Sequence, residues 1–136
     1  MANPVAADAS EVLIVEDNFV VADALRYLID GLEGLGARIV PTLDRAFAVL
    51  DAHRIDVAVL DVNLNGISVV PLAEHLHARS IPFVFLTGYG DDQLLPEHLR
   101  TYPRFAKPVD ADPFVRTLLD LAKGAVTAEG GPSRDG

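Results

Sequence analysis

Short, continuous apolar runs separated by segments of helical period constrain this chain more than any other feature. Val12–Val15, Ala37–Val40, Val57–Leu60 and Phe83–Leu86 are of strand length and rich in β-branched or aromatic residues, and Arg104–Ala106 is a weaker fifth. A strand exposed on one face alternates apolar with polar residues. Unbroken apolar runs suit strands covered on both faces, as in a parallel sheet. The intervening segments repeat at 3.6 residues. Val21, Leu25, Leu28 and Leu32 share one face, as do Leu43, Ala46, Phe47 and Leu50. Val69, Leu72, Ala73 and Leu76 form a third face, and Phe114, Leu118 and Leu121 the last. Gly31, Gly34 and Gly36 break the chain after the first helix. Pro96 interrupts Asp91–Arg100, which is expected to be short and mobile.

Strand and helix alternating in this way predict an α/β fold with a doubly wound five-stranded parallel sheet. Right-handed crossovers put helices on both faces. The expected strand order is the flavodoxin-like 2-1-3-4-5, which makes the first and third strands neighbours at the switch point. At 136 residues, half of them hydrophobic, the chain suits one domain, expected over 11–123, with flexible ends over 1–10 and 124–136. Without cysteine it can form neither a disulfide nor a thiolate metal site. A net charge of −9 repels phosphate backbones and argues against direct nucleic-acid binding. The first ten residues lack the basic and apolar regions of a signal peptide, and no run is long enough to cross a bilayer. The expected setting is cytoplasmic, without membrane contact.

The placement of polar residues carries the chemistry. Glu16 and Asp17 follow the first strand, Asp61 the third, Thr87 the fourth and Lys107 the fifth. In a parallel sheet these positions converge on the carboxyl edge, where α/β folds bind ligands. Alone, each has an ordinary explanation: acids cap helices, Thr87-Gly88 ends a strand, and Lys107-Pro108 opens a helix. Together they make a set. Three carboxylates in one place demand a compensating proton or cation, and hard oxygens beside water suit Mg²⁺, for which Mn²⁺ would substitute. With the charge compensated, a phosphoryl group can approach a carboxylate nucleophile. Asp61, central in the sheet, is the best nucleophile. Lys107 and the Thr87 hydroxyl would hold phosphoryl oxygens, and Gly88 leaves room and adds a backbone N–H. His53, His75, His77 and His98 are scattered and expected at the surface, none of them a phosphohistidine. Tyr89, two residues after Thr87, is expected either to shield the helix that follows or to affect access to Asp61.

Val12–Asp17 (VLIVED), Leu60–Gly66 (LDVNLNG), Phe85–Gly88 (FLTG) and Lys107-Pro108 together closely resemble bacterial response-regulator receiver domains over roughly residues 11–123. The resemblance implies Asp61 as the phosphorylation site and Glu16, Asp17 and Asp61 as Mg²⁺ ligands through their side chains. Asn63 would contribute its backbone carbonyl, Lys107 would pair with the phosphoryl group and the carboxylate, and Thr87 would reorient on phosphorylation. The Lys107–Pro108 bond would be cis. It further implies a histidine kinase or histidine phosphotransfer protein as donor, with output through protein contacts or service as a phosphate sink. Receivers of the common kind have an aromatic three residues before the lysine, where this chain has Arg104; Phe105 stands one residue later. Phe83–Gly90 (FVFLTGYG) instead resembles the FAT GUY subgroup, with Gly90 departing from its final position, and that subgroup pairs with HWE-type kinases.

Two rivals are an aspartate-based phosphohydrolase and a non-phosphorylated pseudo-receiver used for docking. The first needs an acid two residues after the nucleophile, and Asn63 stands there. The intact set of acids, lysine and threonine argues against the second. The sequence therefore reads as a signalling protein whose self-dephosphorylation is incidental, not as a turnover enzyme.

Overall fold

The structure, a computed structural model, describes residues 10–127. In chain order its strands are β1 (Ser10–Val15), β2 (Leu35–Val40), β3 (Val57–Asp61), β4 (Asn63–Leu64), β5 (Ile67–Ser68), β6 (Phe83–Thr87) and β7 (Arg104–Ala106). Its helices are α1 (Phe19–Asp30), α2 (Leu43–Ala52), α3 (Val70–Ala78) and α4 (Ala111–Thr127). The long strands form one parallel sheet in the order β2-β1-β3-β6-β7, which is the expected 2-1-3-4-5 once the small β4-β5 hairpin is set aside. The stretches expected to be flexible lie mostly outside the described residues. Within them, Ser10 opens β1 and α4 continues through Gly124 to Thr127.

Because successive strand residues point to opposite faces, each apolar run feeds two cores at once. Leu13, Val15, Ala58, Leu60, Phe83 and Phe85 pack against α2 and α3. Val12, Ile14, Val57, Val59, Val84 and Leu86 pack against α1 and α4. Fully burying a side chain such as Phe85 or Phe114 contributes about 1.5–3 kcal/mol, so the continuous runs supply the driving force on both sides.

The helix starts are set locally. Asn18 Oδ1 accepts from the N–H groups of Val20 (2.9 Å) and Val21 (3.1 Å), and Thr42 Oγ1 accepts from Arg45 N–H (3.2 Å). Helix α1 buries Ala22, Leu25 and Ile29, leaving Val21, Leu28 and Leu32 only partly covered, so its inner face is rotated from the expected one.

Two departures bear on the site. The segment after β6 forms no α-helix. It makes two 3₁₀ turns, Asp91–Leu94 and Glu97–Leu99, split by Pro96 in extended backbone, where the residue before a proline is driven out of helical conformation. Buried Leu95 and Leu99 anchor it to the α2–α3 core. The β4-β5 hairpin was not foreseen, although Asn65-Gly66 is its signal: both residues adopt positive φ (55° and 84°), as a two-residue hairpin turn requires.

Candidate functional site

The carboxyl edge of the sheet assembles the residues that sequence places there. Glu16 directly follows β1 and Asp61 ends β3; they are only 2% and 1% exposed, while Asp17 is half-buried beside them. Local backbone orients both buried acids. Asn18 N–H donates to Glu16 Oε2 (3.0 Å), and Asn63 N–H donates to Asp61 Oδ1 (3.1 Å). Asn18, not either acid, is the cap of α1, which leaves Glu16 and Asp17 without that ordinary duty.

Lys107 reaches the acids from the far side of the sheet. Its N–H donates to Thr87 O (2.9 Å), extending the β6-β7 ladder, and the Lys107–Pro108 peptide bond is cis. From there Nζ donates to Asp61 Oδ2 at 3.1 Å and to Glu16 Oε1 at 3.3 Å. One ammonium thus faces two buried carboxylates. Burial, abetted by the hydrogen bond and charge of Asp61, raises the Glu16 pKa from 4.5 to about 7, against the opposing pull of Asn18 N–H and Lys107. Burial by itself would lower the Lys107 pKa, but the hydrogen bonds and charges of Asp61 and Glu16 outweigh it and push the value up.

Glu16, Asp17, Asp61, Asn63 and Lys107 line one open, polar pocket of about 580 Å³, joined by Asn18, Asn65 and Gly66. One oxygen from each of Glu16, Asp17 and Asp61 lies within 4.8 Å of the others. Three hard carboxylate oxygens gathered this closely suit Mg²⁺, which takes a few protein oxygens and fills its remaining positions with water or phosphate oxygens. Among the described residues this is the one acidic group so arranged.

The other expected residues fall into place unevenly. Thr87 is buried at the end of β6, next to this edge. Gly88 N–H, expected to be available, donates instead to Asp91 Oδ2 at 2.7 Å. The sequence reading missed Asp91; its signal is an acid three residues after the residue that opens a turn, the reaching-back half of a capping box. Tyr89 is fully exposed, so in this conformation it neither shields the turn nor covers Asp61. Phe105 packs edge-on against Phe114 (5.4 Å) on the α1–α4 side, while Arg104, one residue earlier, is exposed. Of the histidines, His53, His77 and His98 are exposed, and His75 is half-buried, edge-on to Phe47. No helix among the described residues is long and apolar enough to cross a membrane.

Comparison with known proteins agrees with this geometry. The family model described as "Response regulator receiver domain" matches residues 12–118. The solution structure of SdrG from Sphingomonas melonis Fr1 is 37% identical, with a TM-score of 0.72 over 84% of this chain and 97% of that one. The signal receiver domain of a modulated diguanylate cyclase from Desulfovibrio desulfuricans G20 is 28% identical, with a TM-score of 0.75 over 89% and 99%. A response regulator receiver protein from Burkholderia phymatum, 24% identical with a TM-score of 0.70 over 84% and 95%, shares the fold. A search of curated proteins gave no match. Receiver domains bind Mg²⁺ in an acidic pocket and interact with histidine kinases or phosphotransfer proteins in two-component signalling. With the parallel sheet, the buried acids and the lysine opposite them all in register with that family, this chain belongs to the response regulator receiver domains.

Proposed function

We propose that the chain is a phosphoacceptor switch whose residues 11–123 act as a unit and whose acceptor is Asp61. The observation that carries this reading is the buried Asp61 carboxylate at the centre of the rim, 3.1 Å from the Lys107 ammonium, with Glu16 and Asp17 alongside. The Glu16, Asp17 and Asp61 carboxylates and the Asn63 carbonyl would hold Mg²⁺, or Mn²⁺ in its stead, which when bound neutralises charge between acceptor and phosphoryl group. An Asp61 oxygen attacks phosphorus, the N–P bond of the donor imidazole breaks, and its electron pair stays on the ring nitrogen. Lys107 and the Thr87 hydroxyl hold the phosphoryl oxygens, with Gly88 N–H as a further donor. Output runs through protein contacts or the module serves as a phosphate sink. Hydrolysis of the aspartyl phosphate resets the switch and is incidental, not a turnover activity.

The test is chemical. Incubation with Mg²⁺ and acetyl phosphate is expected to add one phosphoryl group, visible by intact mass and removed by hydroxylamine, as an acyl phosphate is. The phosphohydrolase reading predicts steady turnover of p-nitrophenyl phosphate instead. Against it, the amide of Asn63 is not an acid and cannot protonate a leaving group, and its Oδ1 is engaged by Gly66 N–H at 2.7 Å. The pseudo-receiver reading predicts no incorporation at all.

A donor protein has a place to dock beside the pocket. An apolar groove of about 910 Å³, lined by Val20, Ala24, Tyr27, Pro108 and Val109, shares Lys107 with the acidic pocket. Val20 and Tyr27 are exposed there, and neighbouring Phe19 adds a third exposed apolar side chain. Together with FVFLTGYG and the exposed Arg104, this supports a FAT GUY-like receiver served by an HWE-type kinase. Tyr27→Ala is expected to slow transfer from such a phosphorylated kinase by roughly tenfold, as loss of an aromatic anchor does. Transfer from acetyl phosphate should keep its rate, since Tyr27 lies outside the acidic pocket.

A further inference from the structure

The strongest feature left unexplained by phosphoryl acceptance is the short hydrogen bond from Gly88 N–H to Asp91 Oδ2, 2.7 Å long. It joins the first residue after β6 to the first residue of the 3₁₀ turn Asp91–Leu94, and Asp91 N–H returns a bond to Gly88 O at 3.1 Å. The carboxylate lies so close over Gly88 that a Cβ there would meet Asp91 Oδ2 at 3.0 Å. This N–H is one residue beyond Thr87 and, with Asp61 and Leu86 paired across β3 and β6, stands at the same rim as the acceptor.

We propose that Asp91 is an internal competitor for the phosphoryl group: its carboxylate occupies the Gly88 N–H until the aspartyl phosphate displaces it. The inference rests on Asp61 being the acceptor and deepens that reading by naming how the modification moves the surface. One N–H cannot serve a carboxylate and a phosphoryl oxygen at once, and the two anions repel. Phosphorylation therefore expels Asp91, and the turn Asp91–Leu94 loses the bond that fixes its start. The disturbance stops at Leu95, which is buried in the core and whose carbonyl accepts from Arg100 Nε at 2.9 Å. The part that changes carries fully exposed Tyr89 and half-exposed Leu94, an apolar pair suited to reporting the state to a partner. Such a device needs no rotating aromatic, in keeping with Arg104 at that position and with Phe105 packed on the other face of the sheet.

The experiment compares wild type, Asp91→Ala, Asp91→Asn and Asp44→Asn by NMR titration with beryllofluoride and Mg²⁺, with acetyl phosphate labelling in parallel. Asp91→Ala is expected to bind beryllofluoride roughly tenfold more tightly than wild type, the low end for a charge-assisted bond because Asp91 is half-exposed. Asp91→Asn should fall between them, and it carries the comparison should the alanine variant not fold. The amides of residues 91–94 in unliganded Asp91→Ala should already lie near their positions in beryllofluoride-bound wild type, a shift that removal of charge alone does not produce. Equal affinity in wild type and Asp91 variants, or the same tightening in Asp44→Asn, overturns the proposal and leaves the acceptor role of Asp61 standing. Absence of both binding and labelling in every protein removes the acceptor reading, and this inference with it.

Discussion

Asp61→Asn is expected to reduce phosphoryl incorporation from any donor by at least about a thousandfold, below detection by intact mass. The amide is nearly isosteric with the carboxylate but is not a nucleophile toward phosphorus. The substitution also reveals how the site is balanced. The amide oxygen of the variant can still accept from Asn63 N–H, but the amide NH₂ would face Lys107 Nζ, donor against donor, where 3.1 Å now separates an ion pair. Lys107 is then left with Glu16 alone. Since Asp61 is one of the groups raising the Glu16 pKa, that pKa should fall in the variant, as a ¹³C titration of the Glu16 carboxyl would show. The buried site loses one of two like charges, so the metal-free variant should be no less stable than wild type at pH 8 in urea melts. Phosphorylation persisting in the Asp61→Asn protein would place the acceptor on another residue.

Much of this arrangement is legible in sequence because topology converts distance along the chain into proximity. Once the runs at Val12, Val57, Phe83 and Arg104 are read as parallel strands, the polar residues after them must share an edge. Nothing about Glu16 or Lys107 alone carries that information. The exposure contrast adds to it: an acid that ends a doubly covered strand, as Asp61 does, is buried by the strand itself and not by choice of rotamer. Local sequence failed where the determinant was a hydrogen bond between side chain and backbone. The role of Asp91 depends on a turn of only four residues, too short to produce a periodic pattern. The hairpin at Asn63–Ser68 was hidden because its two-residue strands are shorter than any hydrophobic period, although Asn65-Gly66 named its turn. The expected face of α1 was partly right: Leu25 is buried and Val21, Leu28 and Leu32 pack half-buried against the core, but the buried Ala22 and Ile29 were left out. Val20, Val21 and Leu28 also line the groove beside Lys107, which draws part of the apolar stripe toward the surface.

The same excess of acid over base that suits the pocket to a metal ion should make the metal-free protein lose stability as pH rises toward neutrality. Glu16 titrates at about 7 in the folded protein against an ordinary value of 4.5. Between those values the folded state holds a proton that the unfolded state has released, so raising the pH favours unfolding. The contribution of this group is complete below about pH 4.5 and gone above about pH 7, and its size is at most on the order of 3 kcal/mol. Urea melts in EDTA at pH 5, 6, 7 and 8 should therefore show a decline that Glu16→Gln, neutral at every pH, lacks. Identical pH profiles for wild type and Glu16→Gln would sink the argument. Mg²⁺ enters through the same proton. It must replace the one on Glu16, so its affinity should climb by up to about tenfold per pH unit below 7 and level off above, as calorimetric titration can measure. Saturating Mg²⁺ should in turn stabilise the protein most at pH 8, where the unprotonated acids repel one another without it, and least at pH 5, where a proton already does the ion's work.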